Sequence, residues 1–285
     1  MKRLSLLVPV LLFLSSVCAA QTVTFASEDY PEGLTRHMKE NMQLDVLMTV
    51  GGQGQTETMP MDKESRKQYA LTILESADGV MQKAAVELTE AYESETRPMR
   101  QPTETDLDVE GKVFILERGA EGDDGKAQWD VTLESGDAVT AEERTYIETQ
   151  IVGKRERGLR RLLDGKTMSV GDTLHLDESA LDLMGSAALP GDLEIQNASI
   201  VLTGVGEKDM GETAMFDIVI VFVANSGFMD MTMNLAGTAE VYTASLWPLS
   251  LKLKGDLDGK GNHAGMNIVG DGLFDAGFAA TYEMD

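Results

Sequence analysis

The chain has 285 residues, 24 Lys and Arg against 48 Asp and Glu, and a formal net charge of −24. Hydrophobic residues make up 42%, enough for a sizeable core, so a wholly disordered chain is excluded. The acid excess excludes a sequence-independent nucleic-acid binder, which needs a basic surface.

Residues 1–20 read as a secretory signal peptide. Lys2 and Arg3 give the basic start, residues 4–14 the apolar stretch, and Cys18-Ala19-Ala20 the small-residue end. Cleavage after Ala20 removes two cations and no acid, so the mature chain is still more acidic. Cys18 is the only cysteine. As a lipoprotein anchor it would become the lipidated first residue, but Ser15 and Val17 fit that signal poorly. The expectation is an exported periplasmic or extracellular protein without disulfides. Beyond residue 20 no apolar run is long enough for a spanning helix.

Strands are expected over residues 69–74 and 80–92, joined through Asp78-Gly79. The Pro-containing stretch 96–103 is the best candidate joint, placing a boundary near 96–106 within one β-rich domain over 21–285. Residues 113–117 and 128–133 flank a Gly- and Asp-rich hairpin signal. Thr140 and Glu143 then form a capping box that opens one helix over 140–165. Tyr146, Ile147, Ile151, Leu159, Leu162 and Leu163 mark its apolar face. Gly153 and Gly158 weaken its middle, and Gly165 suits its C-terminal cap. Its second half carries Lys154, Arg155, Arg157, Arg160 and Arg161, five cations in eight residues.

Residues 193–203 continue the strands. The run 215–224 (MFDIVIVFVA) reads as a strand buried on both faces. Met229, Met231, Met233 and Leu235 alternate with polar residues, as do Phe278, Ala280, Tyr282 and Met284. Residues 241–250 and 251–257 add strands, with Pro248 marking an edge or bulge. Short connections favour antiparallel pairing. The fold class is therefore mainly β: a curved antiparallel sheet, half-barrel or barrel-like, packed around one principal helix. An outer-membrane barrel is disfavoured, because only 6% of residues are aromatic and no girdles flank the alternating segments.

Reaction signatures fail. Gly165-Lys166-Thr167 follows a helix instead of opening one, and the earlier P-loop glycine position holds Arg160. Gly259, Gly261 and Ala264 fit the loose dinucleotide pattern too close to the C-terminus. Asp256, Asp258 and Gly261 match part of a calcium loop, but its fifth position is Lys260 and its twelfth is Asn267. His37, His175 and His263 lack ligand spacing. There is no G-x-S-x-G and no H-E-x-x-H. No cofactor, metal site or catalytic residue is expected.

Two features point to binding. Methionine is abundant, with 17 residues, all but Met1 beyond residue 20. Thioethers line adaptable apolar cavities, which makes Met229, Met231 and Met233 candidates for an apolar ligand. The basic stretch Lys154, Arg155, Arg157, Arg160 and Arg161 is a candidate for an anionic lipid or acidic partner. For both features the competing reading is ordinary structure, a Met-filled core and a solvated helix face.

Val170-Gly171-Asp172-Thr173-Leu174, followed by a meander containing YTASLWPL at 242–249, resembles a family of uncharacterised bacterial secreted proteins and lipoproteins. The family's usual Trp after V-G-D-T is Leu174 here. The resemblance implies an envelope location and supplies no catalytic residues. A curved sheet around a helix is also similar in architecture to the half-barrels of periplasmic lipoprotein carriers. The leading expectation is a non-enzymatic envelope protein that binds an apolar small molecule, lipid or lipidated partner on a curved sheet. The alternative is a structural or interaction protein with a filled core, and the third a carbohydrate-active enzyme using paired carboxylates.

Overall fold

The computed structural model describes residues 21–27, 31–52, 55–77, 80–97, 100–107, 109, 111–121, 127–152, 159–176, 192–225, 229–263 and 266–284. Residues 1–20, with Cys18, lie outside these residues. So do Asp78-Gly79 and residues 153–158.

Antiparallel pairing dominates. The strands are β1 (Thr22–Thr24), β2 (Leu34–Gly52), β3 (Gln55–Ala77), β4 (Val80–Thr96), β5 (Thr103–Asp106), β6 (Val113–Glu121) and β7 (Ala127–Leu133), then β8 (Thr167–Ser169), β9 (Thr173–His175), β10 (Asp192–Lys208), β11 (Gly211–Asn225), β12 (Met229–Tyr242), β13 (Pro248–His263) and β14 (Met266–Met284). One sheet runs in the order β7-β6-β4-β3-β2-β14-β13-β12-β11-β10-β9, with β5 folded back on β4. β1 and β8 form a separate pair. Among the described residues β7 and β9 do not meet, so the sheet stays open.

Several strands are long: β3 has 23 residues, β2 and β14 have 19 each. Such strands must twist and bend, and register shifts in the β3–β4 and β10–β11 pairings supply local kinks. Close approach of backbones supplies more. A Cβ at Gly255 would collide with the Asn234 carbonyl, so only glycine lets β13 lie where it does.

The 215–224 run is a correction. β11 is buried on one face only, with Phe216, Ile218, Ile220 and Phe222 buried while Met215 and Val219 are 42% and 43% exposed. Among the described residues no second layer covers that face of β11, so apolar content alone does not report two-sided burial. The stretch 241–250 is also not one strand. β12 ends at Tyr242, the chain turns with Leu246 at φ 55°, and β13 begins at Pro248. The Leu246 N–H donates to the Tyr242 carbonyl (2.9 Å) and the Tyr242 N–H to the Trp247 carbonyl (3.1 Å). The pairing shifts between Glu240 and Val241, opposite Ser250 and Pro248, so Pro248 sits at a bulge of an interior strand.

The expected helix is described on both sides of residues 153–158. α1 (Ala141–Tyr146) opens with the expected capping box: the Glu143 N–H donates to Thr140 Oγ1 (3.2 Å) and the Thr140 N–H to Glu143 Oε2 (2.8 Å). It widens into a π-helical turn over Ile147–Val152. α2 (Leu159–Leu163) follows, and Gly165 at φ 71° ends it. The widened turn keeps Ile147 and Ile151 both buried against the sheet. The stretch near 96–103 lies at the return from β4 to β5, which pair with each other.

Buried side chains form two clusters on one face of the sheet. The larger joins β10–β14 and the middle of β2 to Val23, Phe25, α2 and β8; the smaller joins β2, β3, β4, β6 and β7 to Ile147 and Ile151.

Candidate functional site

Register places one row of residues straight across this inner face. Leu202, Phe216, Ala239, Leu251, Phe278, Glu40, Lys67 and Ala91 stand opposite one another in succession on β10, β11, β12, β13, β14, β2, β3 and β4. The first five are apolar, and then the row meets an ion pair. Lys67 is 4% exposed, and its Nζ donates to Glu40 Oε2 at 3.0 Å and to Gln150 Oε1 at 3.2 Å. Gln150 belongs to the π-helical turn, so the turn is pinned to the sheet above the pair.

More polar groups gather there. Tyr69 donates its hydroxyl to Glu40 Oε1 (3.3 Å), and Arg36 Nη2 donates to the Tyr69 oxygen at 3.5 Å. Arg36 is itself buried, and Tyr282 stands opposite it on β14. The Tyr282 hydroxyl donates to the Pro248 carbonyl (2.8 Å), and its ring stacks on Trp247 at 5.2 Å. The Tyr146 hydroxyl is buried and has no hydrogen-bond partner among the described residues. Burial first, then the carboxylates of Glu40 and Glu93, push its phenol well above the usual range. The cluster fixes charge inside an apolar layer and keeps an orphan hydroxyl beside it. That arrangement suits holding a polar end of a ligand.

Cross-strand register created this cluster, which sequence reading missed. The local signal was on β2, where Arg36 and Glu40 occupy the alternate positions also held by Leu34, Met38, Leu44 and Val46. A charge on an apolar face is informative when buried.

The candidate methionines do come together. Met229, Met231 and Met233 are 4%, 4% and 1% exposed and lie in the larger cluster. Met229 lies across two glycines: its sulfur is 2.8 Å from where a Cβ would stand on Gly259 and 3.5 Å from that of Gly270. All three side chains point to the inner face. Of the basic stretch, Lys154, Arg155 and Arg157 lie outside the described residues. Arg160 and Arg161 fall in α2, with side chains outside them too.

The V-G-D-T motif is a turn. Gly171 takes φ 98°, the Ser169 N–H donates to Asp172 Oδ2 (2.7 Å), and the Gly171 N–H and Asp172 carbonyl bond to Leu202 (2.8 and 3.0 Å). It ties the β1–β8 pair to the main sheet. His37 faces Glu283 at 3.7 Å, and His175 stands on the edge strand β9. Among the described residues no three potential ligands gather as a metal site, and no helix is long and apolar enough to cross a membrane.

No protein-family model and no curated protein matches the chain. Among solved structures, a DUF1329 family protein from Desulfovibrio piger is similar at 11% identity, over 86% of this chain and 85% of that one, with a TM-score of 0.15. At that score the likeness carries no argument, and the fold rests on the strand ladder described above.

Proposed function

We propose that this chain is an exported, non-enzymatic binding protein that holds a linear amphipathic ligand on the inner face of its open sheet. The observation that carries the reading is the cross-strand row, apolar from Leu202 to Phe278 and then meeting the charges of Glu40 and Lys67. From Phe216 to Lys67 it crosses five inter-strand steps, about 24 Å at ~4.8 Å per step. That is the length scale of a long acyl chain with its head at the ion pair. Methionines along the same face give side chains that repack around such a chain. The export half of the reading draws on the pattern of residues 1–20.

Native mass spectrometry and solvent extraction of the purified protein test it. A co-purified acyl compound, or saturable uptake of cis-parinaric acid, is the expected result. A protein that carries nothing and takes up no probe sinks the reading.

A second reading is an envelope interaction protein. It draws on the outer face, where Asp271 and Asp258 stand directly opposite and Leu47 and Leu273 beside them are 57% and 61% exposed. Like charges opposed on a sheet favour a basic counter-surface. Salt-sensitive capture of a basic partner, lost on charge reversal at Asp258 and Asp271, would support it over the first.

A further inference from the structure

Residues 21–27 cross the inner face without joining the main sheet. Among the described residues β1 pairs only with β8, and Val23 and Phe25 are buried while Thr22 and Thr24 stay exposed. Phe25 is fully buried, 5.7 Å from the ring of Phe216, the second residue of the cross-strand row. Besides the short β1–β8 ladder, the backbone bonds that hold the segment go to turns. Phe25 N–H donates to the Lys166 carbonyl (2.8 Å), the Phe25 carbonyl accepts from Gly165 (3.0 Å), and Ala26 N–H donates to the Thr243 carbonyl (3.0 Å). Ser27 N–H donates to Asp164 Oδ1 (2.9 Å), and the Gln21 carbonyl accepts from Val170 (2.9 Å). None of these bonds is a rung of the main ladder. The segment can leave without breaking a strand pairing of the large sheet.

We infer that residues 21–27 are a releasable strap, and that Val23 and Phe25 occupy the place an acyl chain takes when the ligand is bound. The inference rests on the inner-face reading above and adds where the chain enters. An extended strap inserting alternate side chains leaves an elongated volume when it lifts, which suits a linear acyl chain better than a ring system. Farther along the same inner face, the Met229 side chain over Gly259 and Gly270 has the rotameric freedom to adapt to an inserted chain.

Thr22 and Ser169 provide the lock. They are directly paired, with hydroxyl oxygens 2.9 Å apart. In a C18S background the T22C/S169C protein contains no other thiol, and a disulfide there ties the strap down without removing a core side chain. The probe is cis-parinaric acid. The oxidised protein is expected to take it up at least tenfold more slowly than the same protein after reduction with dithiothreitol. V23A/F25A is expected to take it up severalfold more tightly than the parent. Equal uptake by oxidised and reduced protein, with the disulfide verified by mass, overturns the strap and leaves the inner-face site standing. Absence of uptake in every form, including reduced T22C/S169C, overturns the inner-face site and the strap with it.

Discussion

Glu40 and Lys67 are direct cross-strand partners on β2 and β3, with Lys67 Nζ 3.0 Å from Glu40 Oε2, on the face that elsewhere in the row is apolar. Lys67 is nearly inaccessible, while the Glu40 side chain keeps 22% exposure. Such a pair is weak evidence for stability as a pair, yet costly to break on one side. Lys67→Met leaves Glu40 and Gln150 without their shared donor. It is expected to destabilise the fold by about 2–3 kcal/mol. Glu40→Met combined with Lys67→Met removes both charges and is expected to recover most of that loss. Urea unfolding of the parent, Glu40→Met, Lys67→Met and the double variant measures the coupling. Additive losses would show that the two residues do not act as a pair.

Tyr146 carries a buried hydroxyl with no partner among the described residues, and its burial beside Glu40 and Glu93 favours the neutral phenol. The native state therefore holds a proton that the unfolded chain releases above about pH 10, near the ordinary tyrosine value. Stability must fall as pH rises from there, because the unfolded state binds fewer protons. Tyr146→Phe is expected to lose that alkaline slope. At pH 8 it should be neutral or stabilising by up to about 1 kcal/mol, since an unsatisfied buried hydroxyl is removed. Unfolding free energies at pH 8 and pH 10.5 check both parts. A marked loss of stability at pH 8 would mean that the hydroxyl has a partner.

Glu143 acts at the opposite end of the pH scale. Burial pushes its carboxyl up, but a bond from Lys112 Nζ (2.8 Å) and the capping bonds with Thr140 outweigh this and hold it below the ordinary range. A carboxyl lowered in the fold stabilises above its unfolded value and loses that contribution as pH falls through the folded one. The helix entry is thus expected to weaken from about pH 4.5 downward. Glu143→Gln should flatten this acid limb, and Thr140→Ala should cost about 1 kcal/mol at neutral pH. Hydrogen exchange of the α1 amides against pH follows the event locally. An unchanged acid limb in Glu143→Gln would assign it elsewhere.

Residues whose structure follows from near neighbours were legible in the sequence. The capping box at Thr140 and Glu143, the period-two alternation from Met229 to Leu235, and the hairpin of β6 and β7 all depend on residues a few positions apart. The Glu40–Lys67 pair depends on the register of β2 against β3, which no local pattern encodes. The strap was illegible for the same reason: Phe25 meets Phe216 across about two thirds of the chain. The YTASLWPL stretch misled because its apolar content suits a strand. Its turn depends on Leu246 taking a left-handed backbone, which sequence rarely signals for leucine.

The misreading of β11 yields the sharpest contrast within a single element. Ile218 and Val219 are neighbours in an unbroken apolar run, yet Ile218 is 1% exposed and Val219 43%. If one face alone is covered, Ile218→Ala should cost about 2–5 kcal/mol by emptying core volume. Val219→Thr should stay within about 0.5 kcal/mol, because threonine keeps the branched shape that strands favour and the site is already wet. Urea denaturation at equal protein concentration measures both. Comparable losses at the two positions would mean that something covers the outer face of β11 in solution. Repeating the Val219→Thr measurement over a tenfold dilution series then identifies the cover: a loss that fades on dilution belongs to a second copy of the chain, because only self-association depends on protein concentration.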